Sequence, residues 1–239
     1  MPGDAQEDAW NDRCPPVDWL ALVNRHALVS RLLSATVHDV NNTLQVVSGA
    51  AEVLAMDPTA EAVTRRTDSI VNHARQATAA LHALTAFSRD TGGASERARP
   101  KALAEHAVSL QLYALRKARI AVSVTGDEVE CVAEPHRLLQ VVLNLLVNAE
   151  QALEGRAGAA MSVCVSATDG AVTMTVEDNG PGLREDELAS LFKWRLAAAP
   201  GCLGIGLCVS QALAARDGGT LTHARSSSGG ATFRLTLPR

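Results

Sequence analysis

Apolar and small residues recur in steps of three and four along the first part of the chain. The series runs through Val29, Leu33, Val37, Val40, Leu44, Val47, Ala51 and Leu54. This spacing predicts a long helix with a heptad seam that packs against another helix. A second series of the same kind runs through Ile70, Ala74, Ala77, Leu81 and Leu84. Asp57-Pro58-Thr59 separates the two series, and since proline cannot donate the next backbone hydrogen bond, we expect the chain to turn there.

Two helices joined by a short turn form an antiparallel hairpin whose apolar stripe is only half covered. Two hairpins can cover each other as a four-helix bundle. The sequence therefore predicts a homodimer that forms through the helical hairpin. The polar, glycine-bearing segment from Ser88 to Pro100 is typical of a linker.

After the linker the pattern changes to mixed helix and strand. We predict helices at about 102–118, 135–154 and 204–216, and strands at about 120–124, 129–133, 160–167 and 171–177, with two more strands at the end. Neighbouring strands of this kind, interspersed with helices, predict an α/β sandwich in which helices cover one face of a mixed sheet. The predicted fold class is α+β, with a two-helix hairpin forming a dimeric four-helix bundle before the sandwich. The predicted domains are a flexible tail at 1–16, the hairpin at 17–90, a linker at 91–100 and the α/β domain at 101–239.

Composition and charge exclude several classes of protein. Of the 239 residues, 47% are hydrophobic and 20% charged, which is typical of folded domains, and the net charge of −4 argues against nucleic acid as a partner. The five cysteines form no CxxC pair, so neither a zinc site nor a disulfide framework is expected. The N-terminus is polar and acidic, and no apolar run reaches the roughly 20 residues that cross a bilayer. We therefore expect a cytoplasmic protein without a membrane segment, to which a separate sensor protein would bring any membrane signal.

The first candidate for chemistry lies on the first predicted helix, in Val37-His38-Asp39-Val40-Asn41-Asn42. With Val37 and Val40 in the seam, His38 falls on the exposed flank and can present Nε2 to another molecule. Asp39 can accept the Nδ1 proton or orient the ring. Asn42 lies one turn further along the same face. A surface histidine with polar neighbours has the same pattern, so this motif alone leaves both interpretations open.

Three further motifs lie in the α/β domain. Asn144 and Asn148 share one face of an apolar helix, where amide oxygens can serve as ligands of Mg²⁺. Asp178 ends the strand VTMTVE and can accept a hydrogen bond from an adenine amino group, while Gly180 and Gly182 allow close approach to the backbone. Gly204 and Gly206 precede a helix, where exposed N–H groups and the helix dipole favour phosphate. Taken alone, each motif also fits an ordinary turn or amide contact.

Taken in order, the motifs resemble those of the histidine kinases of two-component signalling over essentially residues 20–239. HDVNNTL resembles the phosphoacceptor box of the nitrogen-regulator-like HDxNN subgroup, and RLLQVVLNLLVNAEQAL resembles the N box. VEDNGPGL and GIGL resemble the two glycine boxes, and ARDGGTL with TFRLTLP resembles the usual end of the domain. The resemblance implies a Bergerat-type ATP-binding fold, which binds ATP with Mg²⁺ and passes the γ-phosphate to the histidine of the helical domain.

The resemblance also implies roles for individual residues. His38 would be the nucleophile, Asp39 the neighbouring acid or base, and Asn42 a residue that helps to dephosphorylate a partner receiver domain. Asn148 would hold Mg²⁺ with support from Asn144. Related ATPases carry a water-activating glutamate at the position of Asn144, and an amide is a poor base, so transfer to histidine would be favoured over hydrolysis.

By the same resemblance, Asp178 would recognise adenine, and four glycines would shape the nucleotide pocket. These are Gly180, Gly182, Gly204 and Gly206. The expected substrate is ATP and the expected partner is the receiver domain of a response regulator.

The short segment before Gly204 departs from the family pattern. Similar kinases carry a Thr-Thr-Lys run in this lid, and here Ala197-Ala198-Ala199 stands in its place. Cys202 and Leu203 stand where glycine and threonine are usual. The departures imply a slow kinase or a weakened ATP site, and so leave two alternatives to the kinase. One is a histidine phosphotransferase with a degenerate ATP site that shuttles phosphate between receiver domains. The other is a phosphatase dominated by Asn42.

Overall fold

The computed structural model describes residues 15–56, 59–89, 97–194 and 204–239. Most of the predicted tail and linker, the Asp57-Pro58 turn and the lid from Arg195 to Leu203 therefore lie outside the described residues. In the part of the chain that is described, no helix combines the length and apolar character needed to span a bilayer.

Two long helices come first, α1 (Val17–Met56) and α2 (Ala60–Ser88). The predicted pair of helices is thus confirmed, and the first helix ends and the second begins on either side of the predicted turn. The buried residues among those described in the two helices are Leu20, Ala21, Asn24, Leu28, Leu32, Ala35, Thr36 and Ala50 on α1 and Leu84 and Phe87 on α2.

The buried stripe of α1 differs from the predicted seam. Leu33, Val37 and Leu44 are 47%, 46% and 51% exposed, whereas the neighbouring Leu32 and Thr36 are buried. The predicted series omitted Leu32, Ala35 and Thr36, which are buried within the chain. Leu33, Val37 and Leu44 of the predicted seam therefore form an exposed apolar face.

The rest of the chain alternates short helices and strands. Its elements are β1 (Arg97–Ala98), α3 (Pro100–Lys117), β2 (Ala121–Gly126), β3 (Cys131–Val132), α4 (Pro135–Ala152), β4 (Ala160–Ala167), β5 (Ala171–Asp178), α5 (Glu185–Leu188), α6 (Gly206–Arg216), β6 (Thr220–Arg225) and β7 (Ala231–Pro238). The main sheet has five strands in the order β2-β4-β5-β7-β6. Strands β2 and β4 are parallel and the other neighbours are antiparallel, which confirms the predicted mixed sheet. Strand β3 pairs with β1 in a separate two-stranded ribbon.

The sheet and helices meet through one buried face. Along β5, Val172, Met174, Val176 and Asp178 are buried, because alternate side chains of a strand point to the same face. Helix α4 begins at Pro135, where the Glu134 carboxylate accepts hydrogen bonds from the backbone N–H groups of His136 and Arg137. This helix contacts β5, α3 and α6, so it lies at the centre of the domain.

The described residues form two compact units. One contains α2 and the part of α1 from Val29 onward. The other contains the sheet domain together with the first turns of α1, up to Leu28. The sequence-based division, by contrast, placed all of α1 in the helical domain.

The two cysteines on strands β3 and β4 are expected to differ in reactivity. Cys131 is fully buried, and burial, assisted by the charge of Asp217, raises the pKa of its thiol to about 11, while Cys164 is exposed. At pH 8 a maleimide should therefore label Cys164 in the native protein and reach Cys131 only after unfolding. Mass spectrometry of the two peptides checks this, and rapid native labelling of Cys131 would contradict the burial.

The stability of the protein should also depend on pH through Cys131. Since folding raises the pKa of this thiol from 9.0, the free energy of unfolding should decrease as the pH rises from 9 toward 11.

Candidate functional site

His38 lies on the exposed surface of α1, as the sequence predicted. Its ring Nδ1 is 2.9 Å from Nδ2 of Asn42, one helical turn later. The side chain of Asp39 is also exposed, and its backbone oxygen accepts a hydrogen bond of 2.8 Å from the Thr43 hydroxyl. Three polar side chains of the HDxNN motif are therefore accessible on one stretch of helix.

The contact with Asn42 bears on the tautomer of His38. An amide N–H pointing at Nδ1 makes Nδ1 the acceptor and places the imidazole proton on Nε2. Rotation of the amide by half a turn presents its oxygen instead, which holds the proton on Nδ1 and leaves the Nε2 lone pair for nucleophilic attack. Asn42 can therefore select the reactive form of the ring.

Asp178 lies at the end of β5 and is 4% exposed. Its Oδ1 accepts hydrogen bonds from the backbone N–H groups of Gly180 at 2.8 Å and Ala231 at 3.2 Å. These donors stabilise the ionised carboxylate in its buried position. None of the described residues donates to Oδ2, so this oxygen can accept a hydrogen bond from a ligand.

Glycines allow the chain to fold closely around this carboxylate. A Cβ on Gly230 would lie 2.2 Å from the backbone oxygen of Asp178, and one on Gly180 would lie 2.7 Å from its Oδ1. Gly182 has φ +74 and its backbone approaches the oxygen of Gly229. Gly180 and Gly230 thus leave space for Asp178, and Gly182 is required by its positive φ and by the close approach of Gly229.

A serine-rich loop supports Asp178 from the other side, and the sequence analysis missed it. The hydroxyl of Ser228 donates to the backbone oxygen of Asp178 at 3.2 Å. Ser226 is hydrogen-bonded both to Ser228 and to the carboxylate of Glu177. The only sequence signal was the run of three serines and two glycines before β7, which resembles an ordinary hairpin loop.

Asn148 lies on α4, and its Nδ2 is buried without a hydrogen-bond partner among the described residues. A buried N–H donor without a partner is costly, so it points to an acceptor such as a phosphate oxygen or water. No group of three or more His, Cys, Asp or Glu side chains in the described ranges forms a metal site. The amide oxygen of Asn148 is the atom that can contribute to Mg²⁺ binding, since Mg²⁺ commonly takes one or two protein ligands and leaves its other positions to phosphates and water.

Asn144, one turn earlier, is 3% exposed and fully engaged within the protein. Its Oδ1 accepts from Nδ2 of Asn24, and its own Nδ2 faces acceptors on Asn24, Gly206 and Ser210. The amide therefore joins α4 to α6 and to the start of α1. This arrangement fits the supporting role expected for Asn144.

Gly204 and Gly206 lie at the start of α6. Gly204 has φ +67, a conformation that favours glycine, and Gly206 is the first residue of the helix. The preceding residues of the predicted glycine box lie outside the described ranges. The structure thus places a helix N-terminus beside Asn144, since the Gly206 carbonyl is 3.2 Å from its Nδ2.

His223 on β6 adds a half-buried imidazole, whose Nε2 has no hydrogen-bond partner among the described residues. Its ring packs against Phe233 at a centroid distance of 5.3 Å. Burial lowers the pKa of His223, and the negative charge of Asp178 partly opposes the shift.

Comparison with known proteins agrees with this geometry. Residues 133–239 match the family described as histidine kinase-, DNA gyrase B- and HSP90-like ATPase. The sensor histidine kinase ZraS of Escherichia coli is 27% identical over 213 residues, covering 88% of this chain and 45% of the relative. The sensor protein FixL of Bradyrhizobium diazoefficiens is 28% identical over 231 residues, covering 92% of this chain and 45% of FixL. The chain thus spans less than half the length of either relative.

Solved structures show the same fold. The catalytic domain of the histidine kinase ThkA is similar over 59% of this chain and 93% of its own, with a TM-score of 0.55 and 20% identity. The mycobacterial sensor histidine kinase MprB is similar over 60% of this chain and 96% of its own, with a TM-score of 0.52 and 21% identity. The predicted α+β fold, with helices followed by an α/β sheet domain of this kind, is confirmed.

Proposed function

We propose that the chain is an ATP-dependent protein histidine kinase that phosphorylates itself on His38 and transfers the phosphoryl group to an aspartate of a response regulator. The buried Asp178 carries the proposal, because one carboxylate oxygen is held by two backbone N–H groups and the other can accept a ligand donor. Such an arrangement suits the amino group of adenine. The match of residues 133–239 to an ATPase family supports the same ligand.

In this proposal the nucleotide occupies the region formed by β5, α4 and the start of α6. Asp178 recognises adenine, and Gly180 and Gly182 shape the wall beside it. Gly204 and Gly206 give the phosphates access to the N-terminus of α6, where exposed N–H groups and the helix dipole favour anions. Positioning and charge neutralisation, which dominate catalysis of phosphoryl transfer, are the functions of these residues.

Asn148 would hold Mg²⁺, with Asn144 fixing the helix one turn away. When bound, the metal supplies positive charge that neutralises the phosphate oxygens. The amide oxygen of Asn148 would be the metal ligand, and its buried Nδ2, which has no partner among the described residues, would donate to a phosphate oxygen.

His38 would be the acceptor of the γ-phosphate. Its Nε2 forms a bond to phosphorus while the bond from phosphorus to the bridging oxygen of ADP breaks, and ADP leaves. The proton on Nδ1 then passes to Asp39 or to solvent, which removes the positive charge of the ring. Asn42, 2.9 Å from Nδ1, holds the ring and would later help to position water against a phosphorylated receiver.

The proposed assembly is a homodimer through the helical hairpin. Leu33, Val37 and Leu44 form an exposed apolar face that a second chain can cover as a four-helix bundle. The other proposed partners are a receiver domain and a separate sensor protein. Several relatives, including ZraS and FixL, are named as sensors.

The lid sequence favours a second candidate, a phosphotransferase with a degenerate ATP site. Ala197-Ala198-Ala199 supplies no cation for the γ-phosphate. Such a protein would carry phosphate on His38 between receiver domains without binding ATP.

Calorimetric titration with ATP separates the two candidates. We expect ATP to bind the wild type, and Mg²⁺ to tighten binding by about tenfold, or roughly 1.4 kcal/mol, relative to EDTA. In Asn148→Ala the Mg²⁺ effect should be lost, while Asn41→Ala, an exposed amide on α1, should retain it. Absence of ATP binding with or without Mg²⁺ would overturn the kinase proposal and favour the phosphotransferase.

A further inference from the structure

The first turns of α1 bury a polar side chain against the sheet domain. Asn24 is 5% exposed, and its Oδ1 accepts hydrogen bonds from Nε2 of Gln140 at 2.8 Å and Nδ2 of Asn144 at 2.9 Å. Its own Nδ2 donates to Oδ1 of Asn144 at 3.0 Å. Gln140 also donates to the backbone oxygen of Ala21. The docking segment, Val17–Leu28, is therefore held on α4 by a closed set of buried amides.

The same set extends to α6. Nδ2 of Asn144 lies 3.2 Å from the carbonyl of Gly206 and 3.1 Å from the hydroxyl of Ser210, which is fully buried. An amide has two N–H donors, and here three acceptors share them. Asn24 accepts from Nδ2 of Asn144 and also donates to its Oδ1, and these two bonds fix the rotation of the Asn144 amide between α4 and α6.

Both helices joined by this amide carry proposed nucleotide contacts. Asn148 is one turn further along α4, and Gly206 begins α6. A Cβ on Gly206 would lie 3.1 Å from Oδ1 of Asn144, so the two helices approach closely at this amide. A change in its rotation alters the spacing of the helices that bind the phosphates and the metal.

We propose that Asn24 is a positioning residue for the nucleotide, and that docking of Val17–Leu28 and nucleotide binding favour each other. The inference rests on the proposed ATP-binding function. Without Asn24, Oδ1 of Asn144 loses its hydrogen-bond donor and Nε2 of Gln140 loses one of its two acceptors, so the buried amides must reorganise or admit water. Because coupling between two sites is reciprocal, nucleotide must stabilise the docked segment as much as the segment stabilises nucleotide binding.

The other contacts of Val17–Leu28 include apolar packing and an exposed ion pair. Leu20 and Leu28 are buried, and Asp18 forms an exposed ion pair with Arg216 at the end of α6. Apolar contacts and exposed ion pairs contribute to attachment without fixing the orientation of a buried amide. The docking segment is also the start of the helix that bears His38, so a change in α1 can reach the nucleotide site through Asn24.

Hydrogen exchange on the full chain, with and without Mg²⁺ and ADP, tests the coupling. We expect ADP to slow exchange at residues 17–28 in the wild type. The substitution Asn24→Asp keeps the acceptor Oδ1, removes the donor Nδ2 and buries a negative charge. We expect it to weaken ADP binding by about tenfold and to abolish the effect of ADP on exchange at residues 17–28. Asp18→Asn, which removes only the exposed ion pair, is the matched control and should retain both properties.

The wild-type measurement needs no substitution, so a variant that fails to fold does not remove the test. ADP binding without any change at residues 17–28 would overturn the coupling while leaving the proposed kinase intact. Normal ADP affinity in a folded Asn24→Asp would do the same. Absence of ADP binding by the wild type would overturn both proposals.

Discussion

Replacing His38 by alanine is expected to abolish acid-labile phosphorylation of the protein by ATP. His38 is exposed, and in the proposed mechanism its Nε2 forms the bond to phosphorus, for which alanine has no substitute. The residual label should fall to the background of the assay, because no other group of the motif is a comparable nucleophile. Radiolabelled ATP and quantification of acid-labile, base-stable label provide the measurement.

His82→Ala is the matched control for this experiment. His82 is another exposed histidine of the helical unit, on α2, and has no proposed role. Its replacement should leave the label unchanged. ATP affinity should be the same in all three proteins, because His38 does not contribute to the proposed nucleotide pocket. Substantial label on His38→Ala would contradict the assignment of the acceptor.

Replacing Gly230 by alanine is expected to disrupt ATP binding through Asp178. The new Cβ would lie 2.2 Å from the backbone oxygen of Asp178 and 2.5 Å from its Oδ1, so the carboxylate and the loop cannot both keep their positions. Overpacking of a tight site typically costs about 1–3 kcal/mol. Since the displaced group is the proposed adenine acceptor, we expect ATP affinity to fall by about 100-fold, or roughly 2.8 kcal/mol.

Gly170→Ala provides the control, because a Cβ at this position meets nothing within 4 Å. It should bind ATP like the wild type. Circular dichroism of both variants distinguishes local disruption from unfolding. Unchanged ATP affinity in a folded Gly230→Ala protein would show that Asp178 and its loop do not form the adenine site.

The sequence predicted those parts of the fold that depend on local periodicity. Strand β5 runs from Ala171 to Asp178, against a prediction of 171–177, because alternating residues mark a strand clearly. The same alternation places Asp178 on the buried face. Helix α4 could be located from its apolar run, and Pro135 marks its first turn.

The sequence did not predict contacts between residues far apart in the chain. Asn24 and Asn144 are separated by 120 positions, and nothing in the local pattern of either residue indicates that they meet. The sequence also did not predict that Leu32, Ala35 and Thr36 would be the residues of α1 that are buried within one chain, because their spacing resembles that of the neighbouring seam. The loop that holds Asp178 escaped notice because serines and glycines are common in every turn.

The central claim is that this chain transfers the γ-phosphate of ATP to its own histidine. The most direct test incubates the purified wild-type protein with Mg²⁺ and ATP labelled in the γ-phosphate, beside a sample with ATP labelled in the α-phosphate. We expect acid-labile, base-stable label on the protein from the γ-labelled nucleotide alone. No protein-bound label from γ-labelled ATP, or equal label from both nucleotides, would contradict the claim.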